Sequence, residues 1–204
     1  MNFREFKEKI NKMPFFGSDV VEILSASPKA MRNQMTRWKK QGLIIELKRG
    51  LYILSRDERQ TPMSREVAAA IIYQPSYISL ESAMSHYEMI PERVSAVTSI
   101  TTRKTRSFRN EEGVFIYRSL KPSLYFGFAA KKDEYGYPYF IAEPEKALLD
   151  YLYLNLGRIA PEDKDFFTGS LRLQNRPVIN RKNLSSYAGR FGVKKLDRIL
   201  EQLE

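Results

Sequence analysis

One stretch constrains this chain more than any other. It is Ser27-Pro28-Lys29-Ala30-Met31-Arg32-Asn33-Gln34-Met35-Thr36-Arg37-Trp38-Lys39-Lys40-Gln41-Gly42, and it predicts one helix with a defined start and stop. Ser27 can cap it by accepting a backbone N–H, and Pro28 sits at the first helical position, where its missing donor costs nothing. Gly42 can take the left-handed conformation that ends a helix. At about 100° per residue, Met31, Met35 and Trp38 share one face. Lys29, Asn33, Thr36 and Lys40 point the other way, with Arg32 and Arg37 on the flanks. The first face can only be core. The second offers cations for phosphates, and an amide and a hydroxyl for base edges.

The next residues sharpen this. Leu43-Ile44-Ile45-Glu46-Leu47 and Leu51-Tyr52-Ile53-Leu54 are short β-branched and aromatic runs around Lys48-Arg49-Gly50, a turn in which Gly supplies a positive φ. A helix followed by a hairpin with a basic tip is the layout of a winged helix, which lays its second helix in the major groove and its wing on the backbone. The candidate DNA-binding residues are therefore Lys29, Arg32, Asn33, Thr36, Arg37, Lys40, Lys48 and Arg49. The plain alternative is an amphipathic helix with a solvated charged face.

Charge supports the sharper choice. The 204 residues carry a net +10, which favours a polyanionic partner. Residues 28–50 hold seven cations and one anion, more than half of that excess, whereas residues 61–204 carry a net of only +4. Cysteine is absent, which excludes disulfides and thiolate metal sites and suits a reducing cytoplasm. No apolar run reaches the roughly 18 residues of a membrane span, and the start of the chain lacks a signal peptide's apolar core, so a cytoplasmic protein with no membrane partner is expected.

In chain order, residues 2–13 predict a short amphipathic helix and Asp19–Leu24 a second, with Ser25-Ala26-Ser27 as the tight turn before the reading helix. Ser55–Pro62 is polar and ends in proline, the best linker candidate. It divides the chain into a winged-helix domain at 1–58 and a second domain at 61–204. There, helices are predicted at 64–73, 80–87, from Pro144, at 161–167, 183–190 and 193–203. Strands are predicted at 95–102, 114–118, 124–128 and 137–141, with 106–113 as a charged loop. The helix from Pro144 is apolar around most of its circumference and should be the core of this half. The expected fold is α+β: a winged helix-turn-helix, then a mixed α/β domain with a small antiparallel sheet.

The chain also resembles the AbiEi-type antitoxin family, the regulator half of type IV toxin–antitoxin systems. The resemblance is carried by Ile78-Ser79-Leu80-Glu81-Ser82-Ala83, by Ile90-Pro91-Glu92 with Val97–Arg106, and by Ile141-Ala142-Glu143-Pro144-Glu145-Lys146-Ala147-Leu148-Leu149-Asp150. It implies a DNA-binding repressor that acts on inverted repeats in its own operator. It further implies that the second half counters a nucleotidyltransferase-like toxin. Two other readings stay open: a stand-alone regulator whose second half senses a ligand or dimerises, and a nucleic-acid-processing enzyme.

Other candidate sites are weaker. Arg103, Lys104, Arg106 and Arg109 form a second basic patch, either a solvated loop or a contact for flanking phosphates or for an acidic or RNA-bound partner. His86 is the single histidine and has no well-aligned partner for acid–base work. Glu143 and Glu145 suit a helix start electrostatically, and Asp150 lies off their face. Asp163-Lys164-Asp165 lacks the strand-borne acid that a nuclease site needs. The aromatics between Tyr125 and Phe140 suit sheet packing better than base stacking. No catalytic residue, metal site or cofactor is expected.

Overall fold

The computed structural model describes residues 1–24 and 27–203. The first two residues of the expected turn Ser25-Ala26-Ser27 lie outside the described residues. The fold is mixed α and β with two sheets.

The first half begins with helix α1 (Phe3–Ile10), held at its start by a reciprocal pair in which Asn2 caps the Glu5 N–H and the Glu5 carboxylate accepts from the Asn2 N–H. A two-residue strand β1 (Phe16–Gly17) precedes α2 (Ser18–Ile23) and α3 (Pro28–Lys40). Strands β2 (Ile44–Lys48) and β3 (Leu51–Leu54) form an antiparallel hairpin, and β1 pairs with the outer side of β3. Met31, Met35 and Trp38 are buried as the periodicity predicts. Trp38 stacks on Phe6 at 4.9 Å and meets the edge of Phe3 at 5.4 Å.

The second half holds a six-stranded sheet ordered β6-β7-β5-β4-β9-β8. Its strands are β4 (Ser76–Ile78), β5 (Ala96–Thr101), β6 (Arg106–Asn110), β7 (Gly113–Ser119), β8 (Phe128–Lys132) and β9 (Pro138–Ala142). Helices α4 (Arg65–Ile72), α5 (Leu80–His86), α6 (Pro144–Asn155), α7 (Arg181–Phe191) and α8 (Lys194–Leu200) pack with it. The sheet is larger than expected and is not purely antiparallel. β5 runs parallel to β7, and β4 parallel to β9. The chain leaves β5, skips one strand position to lay down β6, then returns along β7 in the gap. What reads as a charged loop at 106–113 is thus strand β6 and its turn. Residues 124–128 are not a strand; β8 starts at Phe128, and a single wide helical turn at Phe166–Ser170 replaces the helix expected at 161–167.

The hairpin belongs to two cores at once. Its alternation sends Ile44 and Leu54, with half-buried Tyr52, toward the helices of the first half. Ile45, Leu47, Leu51 and Ile53 face the other way, into the core of the second half. The stretch after it is no free tether. Ser55 is buried, Arg56 and Arg59 both pair with the buried Glu112 (3.3 and 3.0 Å), and Glu58 accepts from Lys7 at 2.7 Å.

Candidate nucleic-acid interface

The face of α3 opposite Met31, Met35 and Trp38 is open. Lys29, Arg32, Asn33, Thr36, Arg37 and Lys40 are all exposed. No ion pair to any of the four cations is found among the described residues. The Thr36 hydroxyl donates back to the Arg32 carbonyl at 3.0 Å, which leaves its lone pairs and methyl outward.

The hairpin lies beside this face, and Lys39 fixes the distance between them. Its ammonium binds the Glu46 carboxylate of β2 at 2.6 Å, and that bond raises the Lys39 pKa above the usual lysine range. Between the two runs a concave cleft of about 450 Å³, lined by Arg32, Thr36, Lys39, Glu46, Arg49 and Tyr52 among others. At its rim, Gly50 takes φ +80°, and its carbonyl accepts from the Ser18 N–H at the start of α2. A Cβ at Gly50 would stand 2.9 Å from the Ser18 hydroxyl, which can rotate away, so it is the positive φ that calls for glycine here. This turn presents the exposed Arg49.

Lys48 points elsewhere. It is half-buried, and its ammonium donates to the carbonyl of Ile72 at the end of α4, where a helix carries its partial negative charge. Burial, with Arg103 and Arg106 nearby, lowers its pKa. Arg103 donates to the Gln74 carbonyl at 3.1 Å and lies 4.6 Å over the Tyr73 ring, while Arg106 lies 5.4 Å over Phe108. The structure therefore joins one hairpin residue to part of the second basic patch around the end of α4. Arg103, Lys104, Arg106 and Arg109 are all exposed, the last two on strand β6.

A different cluster lies deep in the second half. Lys146 and Asp150, one turn apart on α6, form an ion pair with no exposed side-chain surface. Asp150 also accepts from the Tyr77 hydroxyl (2.9 Å) and the Ser79 hydroxyl (2.8 Å), and Lys146 donates to Tyr77 at 2.9 Å. The ammonium sits among the rings of Phe126, Phe191 and Tyr77 at 5.1–5.4 Å. Burial pushes the Asp150 carboxyl up and the Lys146 ammonium down, each opposed by their mutual attraction. Every lone pair of consequence is engaged internally, so the group ties α6 to β4. Ser79 starts α5 but spends its hydroxyl on Asp150 instead of capping that helix.

The sequence held a signal for this pair. Two charged residues four apart on a helix that is apolar all round must bury together or not fold.

The other acidic and titratable candidates also have structural partners. Glu143 accepts from the Tyr187 hydroxyl, and Glu145 from the Asn180 N–H, so both tie α7 to α6. The bond to Glu143 pushes the Tyr187 hydroxyl up to about 12. His86 is exposed at its edge and lies 2.9 Å from the Lys131 ammonium; partial desolvation of the ring and that cation lower its pKa. Among the described residues no group of His, Cys, Asp and Glu could hold a metal ion, and no helix is long and apolar enough to cross a membrane.

Neither the models of known protein families nor the curated proteins match this chain.

Proposed function

We propose that the first half is a winged helix and that the protein is a double-stranded DNA-binding transcriptional regulator, with α3 as its reading helix. The carrying observation is the exposed face of α3. It places Asn33, an amide that suits adenine, between Arg32 and Arg37, on a helix whose opposite side is locked into the core by Trp38. Among the described residues neither guanidinium has an ion-pair partner, which leaves both free to meet phosphates or base edges. The cleft beside it, with Arg49 at its rim, adds a phosphate contact at the edge of the groove.

The fuller proposal is a repressor of its own operon whose second half serves as the antitoxin. That part is supported only by the resemblance in residues 78–106 and 141–150.

The test is sequence selection on duplex DNA by the full chain, followed by Asn33→Ala and Arg37→Ala on the selected site. Each should cost on the order of 1–3 kcal/mol and relax preference at one or two base positions. Selection that returns no preferred duplex, or variants that weaken all sequences equally, would reject α3 as the reading helix.

A further inference from the structure

The six-stranded sheet treats its two edges differently. Edge β6 is defended. Strand β2 runs beside it, the Asn110 amide donates to the Leu47 carbonyl at 2.9 Å, and Arg106 and Arg109 stand exposed along it. Among the described residues, edge β8 has no strand or side-chain amide across it, and its two cations, Lys131 and Lys132, stand together at one end. Its Phe128-Ala129-Ala130 run is uncharged, both alanines are exposed, and β9 is the one element with which it makes extended contact among the described residues. Exposed edges of this kind pair with other strands unless something prevents it.

The backbone shows which groups are offered. Beyond the two ends of the β8–β9 ladder, the Glu143 N–H donates to the Gly127 carbonyl, and the Asp133 N–H to the Tyr137 carbonyl. In an antiparallel pair the bonded positions alternate. Residues 127, 129, 131 and 133 therefore turn their backbone groups toward β9. Phe128, Ala130 and Lys132 turn theirs outward, and none of these has a backbone partner among the described residues.

We propose that β8 is the interface of a two-fold homodimer, pairing antiparallel with its mate about Ala130. Register selects this axis. A two-fold at Ala129 would pair only residues 128–130 of the strand, and one at Lys131 would pair only 130–132 and set the two Lys131 side chains opposite each other. One at Lys132 would set two ammonium groups face to face, which is destabilising. One at Phe128 lies at the end of the strand and leaves most of β8 unpaired.

About Ala130, by contrast, Phe128 faces the mate's Lys132 and Ala129 faces the mate's Lys131, so no cation opposes a cation. The two Lys132 side chains then start roughly 13 Å apart along the strands, beyond the screening length of about 8–10 Å. The two Lys131 start roughly 7 Å apart along the strands but turn their ammonium groups back onto His86 and the Tyr87 ring. The row through the axis reads Phe140, Ala130, then the mate's Ala130 and Phe140, since Phe140 lies opposite Ala130 in the β8–β9 register. Phe140 is 47% exposed, and the paired alanine methyls leave an apolar trough between the two rings. The proposal does not depend on the nucleic-acid reading. Under that reading, the dimer displays two copies of α3 related by a two-fold axis.

The full chain contains no cysteine, which makes a cross-link specific. Bonded antiparallel pairs hold their Cα atoms about 5.5 Å apart, inside the span of roughly 4.4–6.8 Å that a disulfide bridges. Ala130→Cys should therefore convert to a covalent dimer under mild oxidant, while Ser170→Cys, at an exposed site elsewhere, should not. Ala130→Pro deletes an outward N–H, the one kind of position where an edge strand accepts proline. It should raise the dimer dissociation constant by at least about tenfold in sedimentation, with an unchanged circular dichroism spectrum.

A parent chain that sediments as a monomer throughout, a dimer that survives Ala130→Pro, or an Ala130→Cys variant that cross-links no faster than the Ser170→Cys variant each overturns the proposal. The cross-link alone decides the matter should the proline variant fail to fold.

Discussion

Replacing Asp150 by Ala should be among the most damaging single changes in the chain. The side chain is completely buried and accepts three hydrogen bonds, from Lys146, Tyr77 and Ser79. Removing it strands the Lys146 ammonium in an aromatic enclosure, with the Tyr77 hydroxyl as its remaining hydrogen-bond partner among the described residues and the like charge of Arg190 nearby. Breaking a buried pair from one side costs about 3–5 kcal/mol, because the remaining charge is unpaired. Against a typical total stability of about 5–15 kcal/mol, that is between about a fifth of it and all of it. The same physics predicts rescue. Lys146→Met combined with Asp150→Leu removes the stranded ammonium but still leaves the Tyr77 and Ser79 hydroxyls without their acceptor, so it should recover the part of the loss that comes from the unpaired charge. Urea unfolding followed by circular dichroism reads both, with the slope checked for constancy across variants. A loss below about 1 kcal/mol for Asp150→Ala, or a double variant as unstable as the single one, would refute the claim that this pair is locked and dry.

Further expectations follow from the same structure. Lys48→Ala and Arg49→Ala should behave oppositely: the first should lower stability by about 1 kcal/mol through the lost bond to Ile72, while the second should leave stability within about 0.5 kcal/mol and weaken DNA binding. A fragment ending at residue 58 would expose Ile45, Leu47, Leu51 and Ile53, each worth about 1.5–3 kcal/mol when buried, so it should bind an apolar dye strongly where the full chain does not. Burial works against the Asp133 charge, yet N–H groups of Ser64, Tyr137 and Tyr135 outweigh it and hold the carboxyl below the usual range. A depressed folded pKa gives stability that is full at neutral pH and lost as the pH falls through the folded value, so Asp133→Asn should flatten the acid limb of the stability profile.

Much of the first half was legible because its signals are local. The α3 face of Met31, Met35 and Trp38 follows from a 3.6-residue period, and the hairpin turn from Gly50. The role of Lys48 was not legible, because the carbonyl it binds lies 24 residues away on α4. Strand β6 was hidden by its own composition. Arg-Ser-Phe-Arg-Asn reads as loop, but an edge strand can carry exposed charge, and here it does so beside β2. The parallel pairing of β5 with β7 depends on which strand fills the gap, and strand patterns do not encode that order. The polar stretch after residue 54 looked like a tether because Arg56 and Arg59 are charged; their partner, Glu112, lies more than fifty residues on. The spacing of Lys146 and Asp150 on one face of an apolar helix was visible, but their partners Tyr77 and Ser79, which reach them only through the tertiary fold, were not.

The central claim is that α3 meets the DNA backbone and bases with its exposed cations, and the salt dependence of duplex binding tests it most directly. For the full chain, the logarithm of the binding constant should fall linearly with the logarithm of salt concentration, by about 0.9 per phosphate neutralised. Lys29→Ala, Arg32→Ala and Lys40→Ala should each flatten that slope by about one unit, while Lys48→Ala should leave it nearly unchanged. Duplex binding that is absent at low salt, or a slope untouched by all three α3 substitutions, would contradict the account.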